Sequence, residues 1–169
     1  MDRTLRSKFA EAALRKAVAE RVDITDARDD DEAGGKLQLL KALREGTMRT
    51  ELRFTFAQLD RLSNADLQRV SESLPITLRS LIADFTNCSQ LADVAALGAG
   101  VEKLQALTSL ELDFEGCEQL ADVAALGAGL ERLQALTSLS LNFEDCSQLA
   151  DVLQRKFNSR DDFRAALSG

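Results

Sequence analysis

The chain has no histidine, tryptophan or tyrosine among its 169 residues, and Pro75 is its only proline. Because histidine is the commonest general base and metal ligand, its absence disfavours a catalytic or metal site. No apolar stretch approaches the roughly 18 residues of a membrane span, and the N-terminal residues lack the continuous apolar segment of a secretion signal. We therefore expect a soluble cytoplasmic protein that is not an enzyme and needs no cofactor.

Positive charge is scarce after the first 50 residues. Residues 51–169 contain 10 lysines and arginines against 18 aspartates and glutamates, whereas residues 1–50 contain 11 against 10. Binding to nucleic acid requires cations that neutralise phosphates, so this balance disfavours a nucleic-acid partner. It favours either a basic protein partner or simply solubility.

Repetition is the main positive feature of the chain. Segments 91–114 and 120–143 differ at four of 24 positions, which gives a period of 29 residues. The first part of each copy alternates apolar and polar residues and predicts a strand with one buried side, as in Leu107, Leu110, Leu112 and Phe114. The second part repeats apolar residues at helical spacing, as in Leu120, Val123, Leu126, Leu130 and Leu133. One strand and one crossover helix per copy predict a parallel sheet.

The strand pattern L-x-x-L-x-L-x-F, followed by a cysteine and an apolar helical pattern, resembles the leucine-rich repeat. The helical half is similar to the ribonuclease-inhibitor-like class, and the cysteine is similar to that of the cysteine-containing class. The resemblance covers roughly residues 21–157 and implies an α/β solenoid. Such a solenoid is a short horseshoe with a parallel β-sheet on its concave face and helices on its convex face. We expect about four to five repeats within 21–157, clearest over 78–152.

Helical caps are expected at both ends, because an open end of a repeat array must be covered. Residues 1–20 predict an N-terminal capping helix. Its basic polar side would suit a membrane surface, but packing over the core is the favoured interpretation. Residues 158–169 predict a C-terminal capping helix, which Ser159 and Asp162 would begin with an imperfect capping box. Just before it, one helical face is predicted for Leu149, Val152 or Leu153, and Phe157.

The acidic run from Asp29 to Glu32 suggests a calcium-binding loop at first sight. An EF-hand loop has a glycine at its sixth position and a glutamate at its twelfth. Counted from Asp29, Gly34 falls at position six, but position twelve is Leu40. We therefore interpret the run as a solvated loop.

Two glycine pairs, Gly98-Ala-Gly100 and Gly127-Ala-Gly129, resemble part of a dinucleotide-binding fingerprint. That fingerprint must directly follow a strand and requires a third glycine. The pairs fall instead inside predicted helices, where each glycine costs up to about 1 kcal/mol relative to alanine. Close packing between neighbouring helices, or a local break that tapers the helix, is the favoured interpretation.

The three cysteines, Cys88, Cys117 and Cys146, recur at the repeat period and should form an internal column. Three thiols in a line cannot enclose zinc tetrahedrally. Neighbouring thiols that point the same way also suit a disulfide poorly. We expect buried, free cysteines that act as small apolar residues, as in a reducing compartment such as the cytoplasm.

The candidate binding surface is the exposed, concave side of the predicted strands. Equivalent positions of successive copies should stand side by side there, so Asp84 and Asp113 should be neighbours. Over residues 78–152 the sequence has 12 aspartates and glutamates against three lysines and arginines. The face is either kept acidic for a basic partner or acidic only because duplication copied its charges. The selected partner-binding residues are Arg53, Asp84, Ser109, Glu111, Asp113, Ser138, Ser140 and Asn142.

These features favour a non-catalytic protein–protein interaction module that binds a partner through its acidic, hydroxyl-rich concave face. The alternative is a regulator of an enzyme, because leucine-rich repeat proteins include inhibitors and GTPase-activating proteins. In that case Arg53 would be the only cation on the concave face. We expect a monomer with a protein partner, possibly a basic one, and with neither a nucleic-acid nor a membrane partner.

Overall fold

The computed structural model describes residues 48–58 and 62–169. This part of the chain has an α/β fold with a five-stranded, mostly parallel sheet and four α-helices. The predicted N-terminal capping helix at 1–20, the start of the predicted repeats at 21–47 and the acidic run lie outside the described residues. Within the described ranges, no helix is long and apolar enough to cross a bilayer.

Strands and helices alternate along the chain until the last strand. Each of the first four strands has five residues, and the connecting helices have seven to nine. The elements are β1 Glu51–Thr55, α1 Asn64–Glu72, β2 Ser80–Asp84, α2 Ala95–Val101, β3 Ser109–Asp113, α3 Ala124–Glu131, β4 Ser138–Asn142, a 3-10 turn Asp151–Leu153, β5 Lys156–Phe157 and α4 Arg160–Ser168.

Strands β1 to β4 lie side by side in chain order and run parallel. In each pair a residue is aligned with the one 29 positions later, as Leu52 is with Leu81 and Leu81 with Leu110. The period of the sequence is therefore the register of the sheet. The predicted parallel sheet is confirmed for these four strands. Strand β5 pairs with β4 in the antiparallel direction, which was not predicted.

One continuous apolar core lies between the sheet and the helices. Alternate strand residues face it, because successive side chains of a strand point to opposite sides. The strand contribution is Leu52, Phe54, Leu81, Ala83, Leu110, Leu112, Leu139 and Leu141. The helical contribution includes Leu67, Val70, Leu97, Val101, Leu126 and Leu130. The apolar positions that repeat every 29 residues thus become layers of one core.

A column of phenylalanine rings runs through this core just after the strands. Phe85 and Phe114 stack with ring centroids 5.0 Å apart, and Phe114 and Phe143 stack at 5.5 Å. These separations are close to the roughly 4.8 Å between neighbouring strands, so the sheet register aligns the rings. At the C-terminal end, Phe163 of α4 stacks on Phe143 at 5.6 Å. Helix α4 thus supplies the last ring of the column.

The helices are shorter than the apolar pattern predicts. Leu120 and Val123 precede α3, which begins only at Ala124. The Asp122 carboxylate accepts a hydrogen bond from the Ala124 N–H at 2.8 Å, so a local turn occupies the residues just before the helix. Buried leucines at helical spacing therefore mark the whole crossover rather than the helix alone.

Helices α2 and α3 approach each other closely at their glycines. A Cβ atom on Gly98 would overlap the Ala125 carbonyl group, and one on Gly129 would overlap the Gly98 carbonyl oxygen. A Cβ atom on Gly100 would lie 2.8 Å from the Ser71 carbonyl oxygen of α1. Of the two interpretations of the glycine pairs, these contacts support close packing between neighbouring helices.

The predicted helical face through Leu149 and Phe157 is wrong. The chain makes a 3-10 turn and then extends as β5, because the Phe143 N–H donates to the Arg155 carbonyl oxygen at 3.2 Å and continues the sheet. Within β5, Phe157 is buried and Lys156 is exposed. This two-residue alternation is too short for its period to distinguish a strand from a helix.

Arg155 holds helix α4 against β5. Its guanidinium donates to both carboxylate oxygens of Asp162 at 2.9 and 2.7 Å and lies 4.3 Å from the centroid of the Phe157 ring. The predicted capping box is therefore wrong. Ser159 is the N-cap residue, but its side chain makes no capping hydrogen bond. The hydrogen bond from Arg155 also lowers the pKa of Asp162.

The substitution Gly129→Ala should destabilise the protein although alanine is the better helix former. Propensity alone would stabilise α3 by about 1 kcal/mol. The overlap with the Gly98 carbonyl should reverse that sign and lower the free energy of unfolding by about 1–3 kcal/mol, as measured in urea. Ala128→Gly, at an exposed position of the same helix, measures the effect of helix propensity alone. It should lower the free energy of unfolding by about 1 kcal/mol. A more stable Gly129→Ala protein would contradict the close packing.

Candidate functional site

The side of the sheet opposite the helices, which we call the open face, carries the polar residues of β1 to β4. The sheet register arranges these side chains in three rows across the four strands. The first row is Glu51, Ser80, Ser109 and Ser138. The middle row is Arg53, Ile82, Glu111 and Ser140. The third row is Thr55, Asp84, Asp113 and Asn142. All eight selected residues thus come from this face, but the three rows differ in what they can do.

Among the described residues, the middle row carries two of the three exposed, unpaired charges of the face, and Glu51 of the first row is the third. Arg53 and Glu111 are exposed, and neither side chain forms an ion pair or hydrogen bond with a described residue. Ile82 lies between them, on the strand that separates theirs, and is half-buried. Ser140 completes the row on β4. A cation, an apolar side chain and an anion are therefore presented to solvent in sequence.

The first row is made of short side chains apart from its first member. Ser80 and Ser109 are half-buried, and Ser138 and Glu51 are exposed. Because serine side chains are short, the first row protrudes little from the sheet on β2, β3 and β4. The predicted hydroxyl-rich character of the face comes mainly from this row.

The third row serves the turns that follow the strands. The side chain of each member accepts a hydrogen bond from the backbone N–H two residues later, at 3.1, 2.9, 3.0 and 3.1 Å for Thr55, Asp84, Asp113 and Asn142. Short oxygen-bearing side chains commonly close turns in this way. Asp84, Asp113 and Asn142 were selected as partner-binding residues, but each has this local structural role.

Asn142 was predicted to be exposed and is only 5% exposed. Its amide nitrogen donates to the Asp113 and Glu115 carboxylates, both at 3.0 Å, while its oxygen accepts the Glu144 N–H. An amide can donate and accept at once, whereas a carboxylate at this position would only accept. The prediction of exposure is therefore wrong, because Asn142 is the polar contact between β3 and the turn after β4.

Sequence reasoning missed Lys156 as a member of this surface. Its ammonium lies 3.0 Å from the Glu144 carboxylate, and this hydrogen bond, more than the acidic surroundings, raises the lysine pKa. Lys156 aligns with Asn142 in the antiparallel pairing of β4 and β5. The helix predicted for this segment concealed the position. No signal in the sequence could have found it, because the alternation of Lys156 with Phe157 spans only two residues.

The turn after each strand has the same backbone conformation in every described copy. Gln58, Asn87, Gly116 and Asp145 have φ values of 63°, 57°, 70° and 60°. Positive φ favours glycine and is tolerated by asparagine and aspartate. A Cβ atom at position 116 would also displace the exposed Asn87 side chain, whose oxygen lies against Gly116.

Each cysteine follows one of these turns and enters the core. The thiols of Cys88, Cys117 and Cys146 donate to the backbone oxygens of Phe56, Phe85 and Phe114, each at 3.1 Å. The prediction of buried, free cysteines is confirmed. Burial raises the pKa of Cys117 to about 12 and that of Cys146 to about 11. Because thiolates are the reactive form, these cysteines are poor nucleophiles in the folded protein.

A polar groove of about 590 Å³ lies beside the open face, between the start of β4 and the start of α4. Ser138 lines it, but its two arginines are already engaged. Arg160 donates to the Leu133 carbonyl oxygen at 2.6 Å, and Arg164 pairs with Asp161 at 2.9 Å. Among the residues that the structure describes, no group of three or more cysteines, aspartates or glutamates is placed to hold a metal ion.

Replacing Asp113 by alanine should test the structural role of the third row. The Glu115 N–H and the Asn142 amide would lose their acceptor, so we expect the free energy of unfolding to fall by about 1–3 kcal/mol. Asp113→Asn keeps an oxygen acceptor and should recover at least half of that loss. Glu111→Ala, in the same strand, should change stability by less than about 0.5 kcal/mol. Equal losses for the two alanine variants would contradict this role.

Stability should fall at alkaline pH through the cysteines. Their folded-state pKa values of about 12 and about 11 exceed the ordinary value of 9.0, so the thiol contribution is complete below pH 9 and is lost as pH rises towards the folded values. The free energy of unfolding should fall by up to about 1.4 kcal/mol per pH unit for each thiol. Urea titrations at several pH values measure the slope. The Cys117→Ala/Cys146→Ala variant should show a shallower slope, and identical slopes would contradict the assignment.

Comparison of the chain with protein-family models, with curated proteins and with solved structures found no significant match. What the open face can bind therefore has to be inferred from its own residues. Those residues divide into a third row that closes turns, a first row of small side chains and a middle row with two free charges.

Proposed function

We propose that the chain is a non-catalytic protein–protein interaction module that binds a partner protein through the open face. The observation that carries this proposal is a parallel sheet whose polar side remains exposed at Glu51, Arg53, Glu111 and Ser138. Parallel sheets usually have both faces covered by other elements. A parallel sheet with one accessible face is therefore suited to receive its second layer from another molecule.

The charge of the open face supports a basic partner. Its twelve side chains include four carboxylates, from Glu51, Asp84, Glu111 and Asp113, and one guanidinium, from Arg53, while the adjoining Lys156 is paired with Glu144. Asp84 and Asp113 are half-buried at the ends of their strands, and each accepts a hydrogen bond from a backbone N–H of the turn that follows. A face of one predominant sign steers oppositely charged proteins towards it.

The proposal includes a leucine-rich-repeat solenoid for residues 21–157, with the open face on its concave side. The uniform 29-residue register, the repeated turn and the cysteine-to-phenylalanine hydrogen bonds support this architecture. At the C-terminal end, Phe157 and Phe163 cover Phe143, which supports a closing role for the segment after the last repeat. The buried free thiols support a reducing compartment such as the cytoplasm.

Charge reversal on the open face tests this function. Glu51→Lys/Glu111→Lys changes two exposed residues that contact no described partner. Glu72→Lys/Glu131→Lys makes the same change in charge at exposed helix ends on the opposite layer, where the partners are Gln68 and Arg164, and serves as the control. Each immobilised protein is used for affinity capture from native lysate at about 50 and 300 mM salt, with quantitative mass spectrometry.

A basic protein captured by the wild type and by the control should fall at least about tenfold with the open-face variant, and high salt should weaken its capture. Thermal unfolding followed by circular dichroism confirms that all three proteins fold. If every captured protein binds the two variants equally, the open face is not the binding surface.

A further inference from the structure

We propose that the partner element on the open face is a single α-helix that lies across the strands. This helix would carry an acidic, an apolar and a basic residue at positions i, i+3 or i+4, and i+7. They would contact Arg53, Ile82 and Glu111 of the middle row, respectively. This inference rests on the proposed function and specifies the partner that the function requires.

The size of the open face limits what can cover it. Four strands about 4.8 Å apart and five residues at about 3.3 Å each give a footprint of roughly 19 by 17 Å, or about 320 Å². A standard protein interface buries about 800 Å² on each partner. One helix, about 10–12 Å wide with its side chains, fits the footprint, and about 13 helical residues cross the four strands.

The spacing of the middle row matches a helix better than an extended chain. Arg53, Ile82 and Glu111 are register partners on adjacent strands, so Arg53 and Glu111 are about 10 Å apart along the backbone. Residues i and i+7 of a helix are about 10.5 Å apart on one face, with i+3 and i+4 between them. In an extended peptide, successive residues on the same side are about 6.8 Å apart, so the first and the third of them are about 13.6 Å apart.

The charges of the middle row define complementary charges on the helix. Arg53 and Glu111 have opposite signs and no described partner, so a helix with an acid and a base at these positions would neutralise both. Ile82 would contact the apolar residue between them. The serines of the first row leave room for the body of the helix on one side. The third row is fixed by its turn hydrogen bonds and keeps its position when the helix binds.

A second copy of the chain is the competing occupant. A two-fold axis parallel to β2 would bring Arg53 of one chain opposite Glu111 of the other. The same axis would place Asp84 opposite Asp84 of the other chain, and like charges directly opposite each other are unfavourable. Over the described strands β1 to β4, the footprint of about 320 Å² also falls well short of the area that each partner buries in a standard interface. The two considerations together favour the helix.

Helical peptides of about 15 residues test the inference directly. The probe is an alanine-based peptide, held helical by a side-chain crosslink on its outer face, with Glu at i, Leu at i+3 and i+4, and Lys at i+7. A matched peptide has the lysine moved to i+9, which lies on the opposite side of the helix. A third peptide has lysine at both i and i+7. Binding to the full chain is measured by chemical-shift titration at low salt.

The Glu–Leu–Lys probe should bind about 1.5- to fivefold more tightly than the matched peptide, as expected for one exposed ion pair, since the matched peptide keeps its glutamate at i. Shifts should centre on Ile82, and Ile82→Ala should weaken binding further. The Arg53→Glu protein should instead prefer the peptide with two lysines. Because the Arg53 side chain is exposed and forms no hydrogen bond or ion pair with a described residue, this variant should fold like the wild type.

Three results would overturn the inference. One is tightest binding of the two-lysine peptide to the wild type, which leaves the acidic-face function in place. Another is no binding of any peptide at 2 mM, while the Glu51→Lys/Glu111→Lys protein still loses its captured partner. The last is a concentration-dependent dimer in sedimentation that Arg53→Glu abolishes, which identifies a second copy as the occupant. Equal capture by the face and control variants would instead refute the function itself.

Discussion

The alignment of each strand residue with the residue 29 positions later is the constraint on which the rest of the structure depends. It brings identical side chains together, so phenylalanine rings stack and leucines form layers. It also places each cysteine thiol within hydrogen-bonding distance of a phenylalanine carbonyl in the preceding copy. A slip by one residue would move every apolar strand residue to the open face.

The same alignment separates residues that close turns from residues that do not, on a single face. The third row is nearly uniform, because every copy needs a side-chain oxygen to close its turn. The middle row differs in every copy and has arginine, isoleucine, glutamate and serine in order. None of these four side chains closes a turn, so the middle row is the part of the face whose chemistry can change without altering the fold.

Most of the repeated architecture was predictable from the sequence, because buried apolar residues reveal their period. The strands, the phenylalanine column and the free cysteines follow from that period alone. The segment after Leu149 was not predictable in the same way, since it departs from the repeat and its β5 has only two residues. The role of the third row was also concealed. A side chain on an exposed strand position gives no sign in the sequence that it accepts a nearby backbone N–H.

Neighbouring copies are nearly interchangeable, and this affects how such a chain can change in length. The glycine contacts between α2 and α3 and the ring stacking between successive copies join surfaces that are nearly the same in each copy. Loss or gain of a whole 29-residue unit would therefore leave the contacts between the remaining neighbouring copies equivalent. It would, however, change the order of side chains along the middle row. A change in copy number would thus change the side chains that the open face presents, while the core stays the same.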